Sequence, residues 1–445
     1  MAKHGEGEPV RILVVTNSYP TRATPSAAPY IVSRLQELRR RPEVEMVAVA
    51  LPPTYTPAAR LARAAARLSD ERDLALASGV SGLVAAPVRW SLPDVARGRS
   101  GHRPRHAVRS AVRALEGVLA DAEFVPEVVH AHGMYTLPAG EVARVVADRL
   151  GVPFVVSLHG SDVAQVIRRD PGSAAATLSA AAATSYVSEA LREEAWGYGM
   201  PVEGSRVIPN GVDLGVFTPA GGRPEPSGDP SIEPAPGASA ASSSASAQAS
   251  AASAQDASTG PGPGASAAAT PGPRLLYVGN LLPVKGVDRL PAVMAHVRST
   301  WPTARLDVVG DGALMGALRR DLDPVDTLHG RLAPTEVARH MRAADVLVVP
   351  SRSEGWGCVA TEALACATPV VATAVGGLPE AVGAGGILVD PADEDYPARF
   401  AAAVDRILRD PPRPESLTAA AAGRSWASVV DEELEMLAAV AGSQR

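Results

Sequence analysis

The sequence predicts an α/β protein made of two doubly wound parallel sheets, separated by a long segment of different composition. Three observations lead there. Short, β-rich apolar runs alternate with helix-like stretches through residues 10–219, stop, and restart after residue 273. The runs are near-continuous rather than alternating in polarity, as strands covered on both faces are. The chain, at 445 residues, is long enough for two domains with separate cores.

Taken in order, "VRILVVTNSYP" (Val10–Pro20) is a buried strand ending in a turn, and Tyr30 to Arg40 is the helix after it. "EVEMVAVALPP" is the second strand. "PEVVHAH" and "PFVVSLHG" are two more, with the helix "AGEVARVVADRLG" between them, and "ATSYVS" and "SRVIPNGVD" close a first domain over residues 1–219. Residues 220–273 contain one large apolar side chain, Ile232, among Ala, Ser, Pro and Gly. Such a segment cannot bury enough surface to offset its ordering entropy, and it reads as a disordered linker. The rhythm then resumes with "RLLYVGN", "ARLDVVG", "DTLHG", "ADVLVVPS", "PVVATA" and "GILVD", a second domain over 274–424, followed by a last helix over 425–441. Ligands of such sheets bind at the carboxyl ends of the strands, here in a cleft between two facing domains.

Composition narrows the function. The chain is 46% hydrophobic but only 4% aromatic, so its cores are built from Ala, Val and Leu. A net charge of −6 argues against nucleic acid as the partner. No apolar run reaches the ~18 residues of a membrane span. The start "MAKHGEGEPVRILVV" lacks the apolar stretch and cleavage site of a signal peptide. Cys358 and Cys366 fall in one predicted helix, roughly 12 Å apart, too far for a disulfide. These features predict a reduced, cytoplasmic protein.

Of the 42 basic residues only two are lysines, Lys3 and Lys285. Lys285 lies in the loop after "RLLYVGN", before Gly286 and a helix, where a flexible ammonium suits a phosphate as a point charge. In "SEGWGCVATEALACATPVV", Glu354 sits in a Gly-rich turn after a buried strand, and a helix begins near Gly357. The first turn of that helix offers free N–H groups to an anion. Glu362, more than one turn further on, is placed to accept hydrogen bonds from ribose hydroxyls. His159 in "SLHGSD" ends a strand, and from there it can donate to a sugar hydroxyl.

Other motifs carry less. His130 and His132 in "HAH" have no Cys or carboxylate companion nearby in the sequence, and no metal is predicted. "VGDGAL" holds Gly310 and Gly312, but Met315 stands where the dinucleotide fingerprint needs its last glycine, which counts against a dehydrogenase. "HRPRHAVRSAVR" (His102–Arg113) reads as a solvated basic face, with an anionic acceptor or a membrane surface as the functional alternative.

Together, "TNSYP", "SLHGSD", "VIPNGVDLGVF", "YVGNLLPVKG", "VVGDGAL" and "PSRSEGWGCVATEALACATPVVATAVGGLPE" resemble the retaining GT-B glycosyltransferases of family four (glycosyltransferase group 1 type). The resemblance spans nearly the whole chain except 220–273. It implies the GT-B fold: two Rossmann-like domains facing a cleft, the first on the acceptor side, the second holding a nucleoside-diphosphate sugar, and the last helix packing back on the first. It implies that Lys285 and the amides of Gly357, Cys358 and Val359 hold the diphosphate, and that Glu362 takes the ribose. Glu354 and His159 would reach the transferred sugar, and the loop around Leu332 would sit against the base.

The implied reaction moves a sugar from a UDP- or GDP-linked donor, with retained configuration, to a hydroxyl of a cell-envelope glycan or a specialised metabolite. The acceptor would be a small molecule, lipid-linked or a glycan. No cofactor and no metal are implied, and peripheral contact with the inner membrane face fits the basic stretch. A catalytically degenerate sugar-nucleotide-binding protein, or a GT-B phosphorylase or epimerase, is the competing reading. Three positions depart from the family: Asn280 where an arginine is usual, and Ala28 and Ala367 where glycines are usual.

Overall fold

The computed structural model describes residues 9–25, 27–68, 72–80, 82–99, 102–219 and 272–443. The segment read as a linker therefore lies, over 220–271, outside the described residues. Among the described residues, fifteen strands run in chain order: β1 Val10–Thr16, β2 Val44–Ala50, β3 Pro53–Tyr55, β4 Val84–Ala85, β5 Val88–Trp90, β6 Val128–His132, β7 Phe154–Leu158, β8 Ala183–Tyr186, β9 Ser205–Val207, β10 Arg274–Val278, β11 Arg305–Val309, β12 Thr327–Gly330, β13 Val346–Val349, β14 Val370–Thr373 and β15 Gly386–Val389.

Seven of them form a first sheet in the order β4-β2-β1-β6-β7-β8-β9, and six form a second in the order β12-β11-β10-β13-β14-β15. All pairings in both are parallel. The strands are apolar on both faces because helices cover both; Leu13, Val14 and Val15 of β1 are all fully buried. Each order reverses beside its founding strand, between β1 and β6 in the first sheet and between β10 and β13 in the second. At such a reversal the flanking loops diverge and leave a crevice. A separate two-stranded parallel ribbon, β3 with β5, stands beside the first sheet.

The last helix, Trp426–Gly442, crosses back to the first domain. Its Val430 and Leu437 share one core with Ile12 and Val14 of β1 and with Ile31, Leu35 and Leu38 of the helix Pro29–Arg39. Ser425 caps it, accepting from the Ser428 N–H at 3.1 Å. Within this packing lies a fully buried ion pair between Arg34 and Glu433.

The two domains touch at the mouth of the cleft. Ser188 Oγ caps the helix Glu189–Gly197 and donates to the Gly355 carbonyl at 2.8 Å. Glu380 accepts the N–H groups of Glu189 and Ala190 at 2.9 and 3.1 Å, a carboxylate of one domain on a helix N-terminus of the other. Gly355 must be glycine here, since a Cβ would lie 2.1 Å from the His159 carbonyl oxygen. Among the described residues no helix is long and apolar enough to cross a membrane.

Candidate active site

The carboxyl ends of β10 and β13 face the first domain, and each delivers one charged side chain. After β10 the chain turns through Gly279 and Asn280 and enters a short helical turn, Pro283–Lys285. Gly286 then adopts φ 66°, and a Cβ there would sit 1.8 Å from the Pro350 carbonyl oxygen. Glycine thus lets the lysine loop press against the loop leaving β13. That contact sets Lys285 Nζ 2.7 Å from Glu354 Oε2, while Ser351 donates to Glu354 Oε1 at 2.9 Å. The helix Cys358–Ala365 starts four residues after Glu354, behind Gly357 at φ 96°. The amides of Cys358 and Val359 precede its first full turn and have no helical acceptor one turn back, and both residues line the cleft.

Lys285, Glu354, Asn280, Gly357, Cys358, Val359 and Glu362 all line one cavity of about 590 Å³, and His159 lines it from the opposite domain. A volume of that size suits a small-molecule ligand. Leu332 does not line it; it lies half-buried in the loop after β12, against the core of the second domain. Burial pushes the Glu362 carboxyl up to about 7. Burial, then the neighbouring Glu362 and Glu354, pushes the Cys358 thiol up to about 12, so it stays a thiol.

On the first-domain side, Asp162 holds the His159 turn. Its buried carboxylate accepts the backbone N–H groups of His159, Gly160 and Val163 at 2.8–3.1 Å. The His159 Nε2 lies 3.1 Å from His132 Nδ1, and its ring packs 4.8 Å from that of Tyr30. Tyr30 and Tyr135 both line the cleft, with hydroxyls 3.3 Å apart. Behind His132, His130 Nε2 meets Ser157 Oγ at 2.8 Å and its Nδ1 lies 3.2 Å from Glu433 Oε1. Burial holds the pKa of His132 and His159 well below the usual imidazole range and lowers that of His130 to about 4, so all three are neutral at pH 7.

The carboxylate companion that "HAH" lacks in the sequence is therefore supplied by the fold. His130, His132 and Glu433 have ligand-type atoms within 4.8 Å of one another, as do Asp307, His329 and His340. In the first group the guanidinium of Arg34 already compensates Glu433. In the second, Asp307 is shared between His329 at 2.7 Å and Arg274 at 3.3 Å. Each carboxylate already has a cationic or hydrogen-bonding partner from the chain itself.

Tyr30, Tyr135, Asp162 and Asn210 belong to this site or support it, and the sequence reading passed over them. Only Asp162 left a local signal: a short carboxylate three residues after the end of a strand, able to fold back onto the turn. Of the family departures, Ala28 (φ 50°) and Ala367 (φ 61°) both adopt the left-handed conformation that glycine favours.

Known proteins resemble the chain at both levels. Residues 56–216 match the family described as Glycosyltransferase Family 4, and residues 272–410 match Glycosyl transferases group 1. The D-inositol 3-phosphate glycosyltransferase of Kineococcus radiotolerans is 33% identical over 70% of this chain and 71% of its own length. The enzyme of the same name from Segniliparus rotundus is 32% identical over 68% of this chain, and the match spans 64% of that relative. Among solved structures, the Anabaena protein HepE in complex with UDP and glucose aligns over 97% of this chain and 100% of its own, with TM-score 0.60 and 16% identity. Sucrose-phosphate synthase from Thermosynechococcus elongatus aligns over 98% of this chain and 100% of its own, with TM-score 0.64 and 20% identity.

Proposed function

Because this chain belongs to the group 1, family 4 glycosyltransferases, we propose that its cleft binds a nucleoside-diphosphate sugar and transfers the sugar to a hydroxyl with retention of configuration. One observation carries the reading. The sole lysine of the second domain and a helix start converge from the two strand ends that flank the sheet's reversal. Lys285 Nζ and the first amides of Cys358–Ala365 face the diphosphate, and the carboxylate of Glu362 accepts from the ribose. Glu354 accepts from hydroxyls of the sugar, and His159 approaches that sugar from the first domain. The loop around Leu332, half-buried after β12, sits against the base. The UDP recorded with HepE, and the inositol phosphate in the relatives' names, support a nucleotide-sugar donor and a hydroxyl acceptor.

In the step, the acceptor oxygen bonds to the anomeric carbon on the face that the phosphate leaves. The anomeric C–O bond breaks with its electron pair passing to the nucleoside diphosphate. The acceptor proton goes to that departing phosphate oxygen. Charge grows on the phosphate, where the ammonium and the helix amides already point, so they bind the transition state more tightly than the ground state. The residues described require no metal for this role. The exposed arginines Arg89, Arg109 and Arg113, grouped around a shallow cavity of about 350 Å³, favour peripheral contact with an anionic surface at the inner membrane face.

The test is a thermal-shift panel of UDP, GDP and their sugars, followed by NMR of the anomeric proton in any product or slow hydrolysis product. A raised midpoint with one diphosphate and a retained anomer is the outcome expected. No shift with any of them, or an inverted anomer, would refute the reading.

A further inference from the structure

We propose that Arg352 is a positioning residue for Lys285, holding the turn that presents the lysine to the loop that carries Glu354. The proposal rests on the transferase reading above for what the ammonium does, and adds what keeps it in place.

The turn Pro283–Lys285 has little of its own to hold it. Its helical geometry spans three residues, closed by the Lys285 N–H on the Leu282 carbonyl at 2.9 Å and the Gly286 N–H on the Pro283 carbonyl at 3.0 Å. So short a run is not stable by itself. Burial does not anchor it either, since Leu282, Pro283 and Val284 are all exposed.

The grip comes from the neighbouring loop. Arg352, two residues before Glu354, donates its backbone N–H to the Val284 carbonyl at 2.8 Å and its Nη1 to the Pro283 carbonyl at 2.5 Å. The same guanidinium forks onto Asp288, Nη1 to Oδ1 at 2.7 Å and Nη2 to Oδ2 at 2.6 Å. One side chain thus holds both residues that precede Lys285 and a residue just beyond it. A planar guanidinium can serve a carbonyl and a carboxylate at once, whereas an ammonium has no such fixed fork. The guanidinium holds the Asp288 carboxyl below the usual carboxylate range, so the pair is ionised at neutral pH. Arg289 ties down the same seam, donating Nη1 to the Pro350 carbonyl at 3.1 Å while it stacks 4.1 Å over the Tyr396 ring.

Arg352 acts through the lysine, for it does not reach the ligand space itself. Ser351 and Ser353 on either side of it line the cleft cavity, and Arg352 stands outside that lining. The Arg352 and Asp288 side chains are 39% and 45% exposed, so their pairing adds little to stability. Its effect falls on placement. Charge growing on a departing phosphate is stabilised only by a donor already in position, and a displacement of about 1 Å can cost as much as ~10²-fold in rate.

Lys285 and Lys3 are the only lysines of the chain, so lysine labelled with ¹³C at Cε gives two side-chain NMR signals, and Lys285→Ala assigns them. In the parent, the Lys285 signal should stand apart from its value in urea and move when UDP is added. In Arg352→Ala it should shift toward the urea value, with the melting temperature unchanged. Arg352→Lys keeps the charge without the fork and should behave as the alanine variant does. Turnover of the donor found in the panel above should fall by ~10-fold or more, with KM changed by less than about threefold. In a Lys285→Ala background, Arg352→Ala should cost nothing further, because its effect passes through the lysine. Should Arg352→Ala fail to fold, Asp288→Asn removes the charge at the other end of the fork and should move the Lys285 signal the same way. A parent Lys285 signal already at its urea value, a signal unmoved by the variants, or a fully additive loss in the Lys285→Ala background would overturn the proposal. A parent that neither binds UDP nor turns over any nucleotide sugar would overturn the transferase reading instead, and the Lys285 signal would still decide whether Arg352 holds the turn.

Discussion

Lys285 and Glu354 meet at 2.7 Å across the reversal point of the second sheet. In the function proposed, the cation offered to a diphosphate therefore shares its charge with the carboxylate that would face the sugar. The pair is partly exposed, so it contributes little to stability, and its significance lies in setting where the ammonium points. Lys285→Ala should lower turnover by ~10²–10³ with an unchanged melting temperature, read by a product assay beside calorimetry. Glu354→Gln should bind UDP more tightly, since the lysine is released, yet turn over more slowly.

Glu362 gives a pH signature. Its carboxyl is raised from 4.5 to about 7, so between those values the folded chain holds a proton that the unfolded chain has lost. The stability it contributes is complete below 4.5 and is lost as pH rises through about 7. Glu362→Gln should therefore melt higher than the parent at pH 8 and equally at pH 4.5. If the ionised form takes the ribose, UDP affinity of the parent should rise between pH 6 and 8, and that rise should vanish in the variant.

The histidines act at the other end of the scale. His130 is lowered from 6.5 to about 4, so on acidification the unfolded chain takes up its proton first. Its contribution is present above 6.5 and drains away as pH falls toward 4. Urea midpoints measured from pH 7 to 4 should fall, and His130→Gln should flatten that slope.

Two left-handed alanines can be relieved. Ala367 follows the helix Cys358–Ala365 at φ 61°, the position where helices prefer glycine. Ala367→Gly should stabilise the chain by about 1 kcal/mol, seen as a higher melting temperature without change in UDP affinity. Ala28→Gly, at φ 50° before the helix Pro29–Arg39, should do likewise.

Breaking the buried pair is the costly change. Glu433→Ala leaves the Arg34 guanidinium without its carboxylate in a dry core, a loss of about 3–5 kcal/mol. Denaturant titration measures it; a loss below 1 kcal/mol would mean that water reaches the site.

Much of this was legible in the sequence, for identifiable reasons. The long apolar strands and the Gly-rich turns before Lys285 and Cys358 are local patterns, and the fold placed them as read. The ribbon strands Pro53–Tyr55 and Val88–Trp90 were not seen, because three residues carry no periodicity. The helix Arg105–Asp121 was read only as a basic stretch, although its Ala107, Val108, Ala111, Val112 and Leu115 repeat at helical spacing and are buried. Glu433 was invisible as a partner of Arg34 because nothing near either residue announces a contact 399 positions away. Leu332 was placed by family resemblance alone, with no pattern in its own surroundings to check it.

That same distance bears on how the molecule is made. Ribosomes deliver the first sheet long before the chain reaches Trp426, and domains fold largely in order of emergence. Until the final helix is released, Ile31, Leu35 and Leu38 have no cover from Val430 and Leu437, and Arg34 has no counter-charge. The nascent first half must wait, sticky and incomplete, for the segment that begins at Trp426, and a chain cut just before that residue would be stranded in that condition.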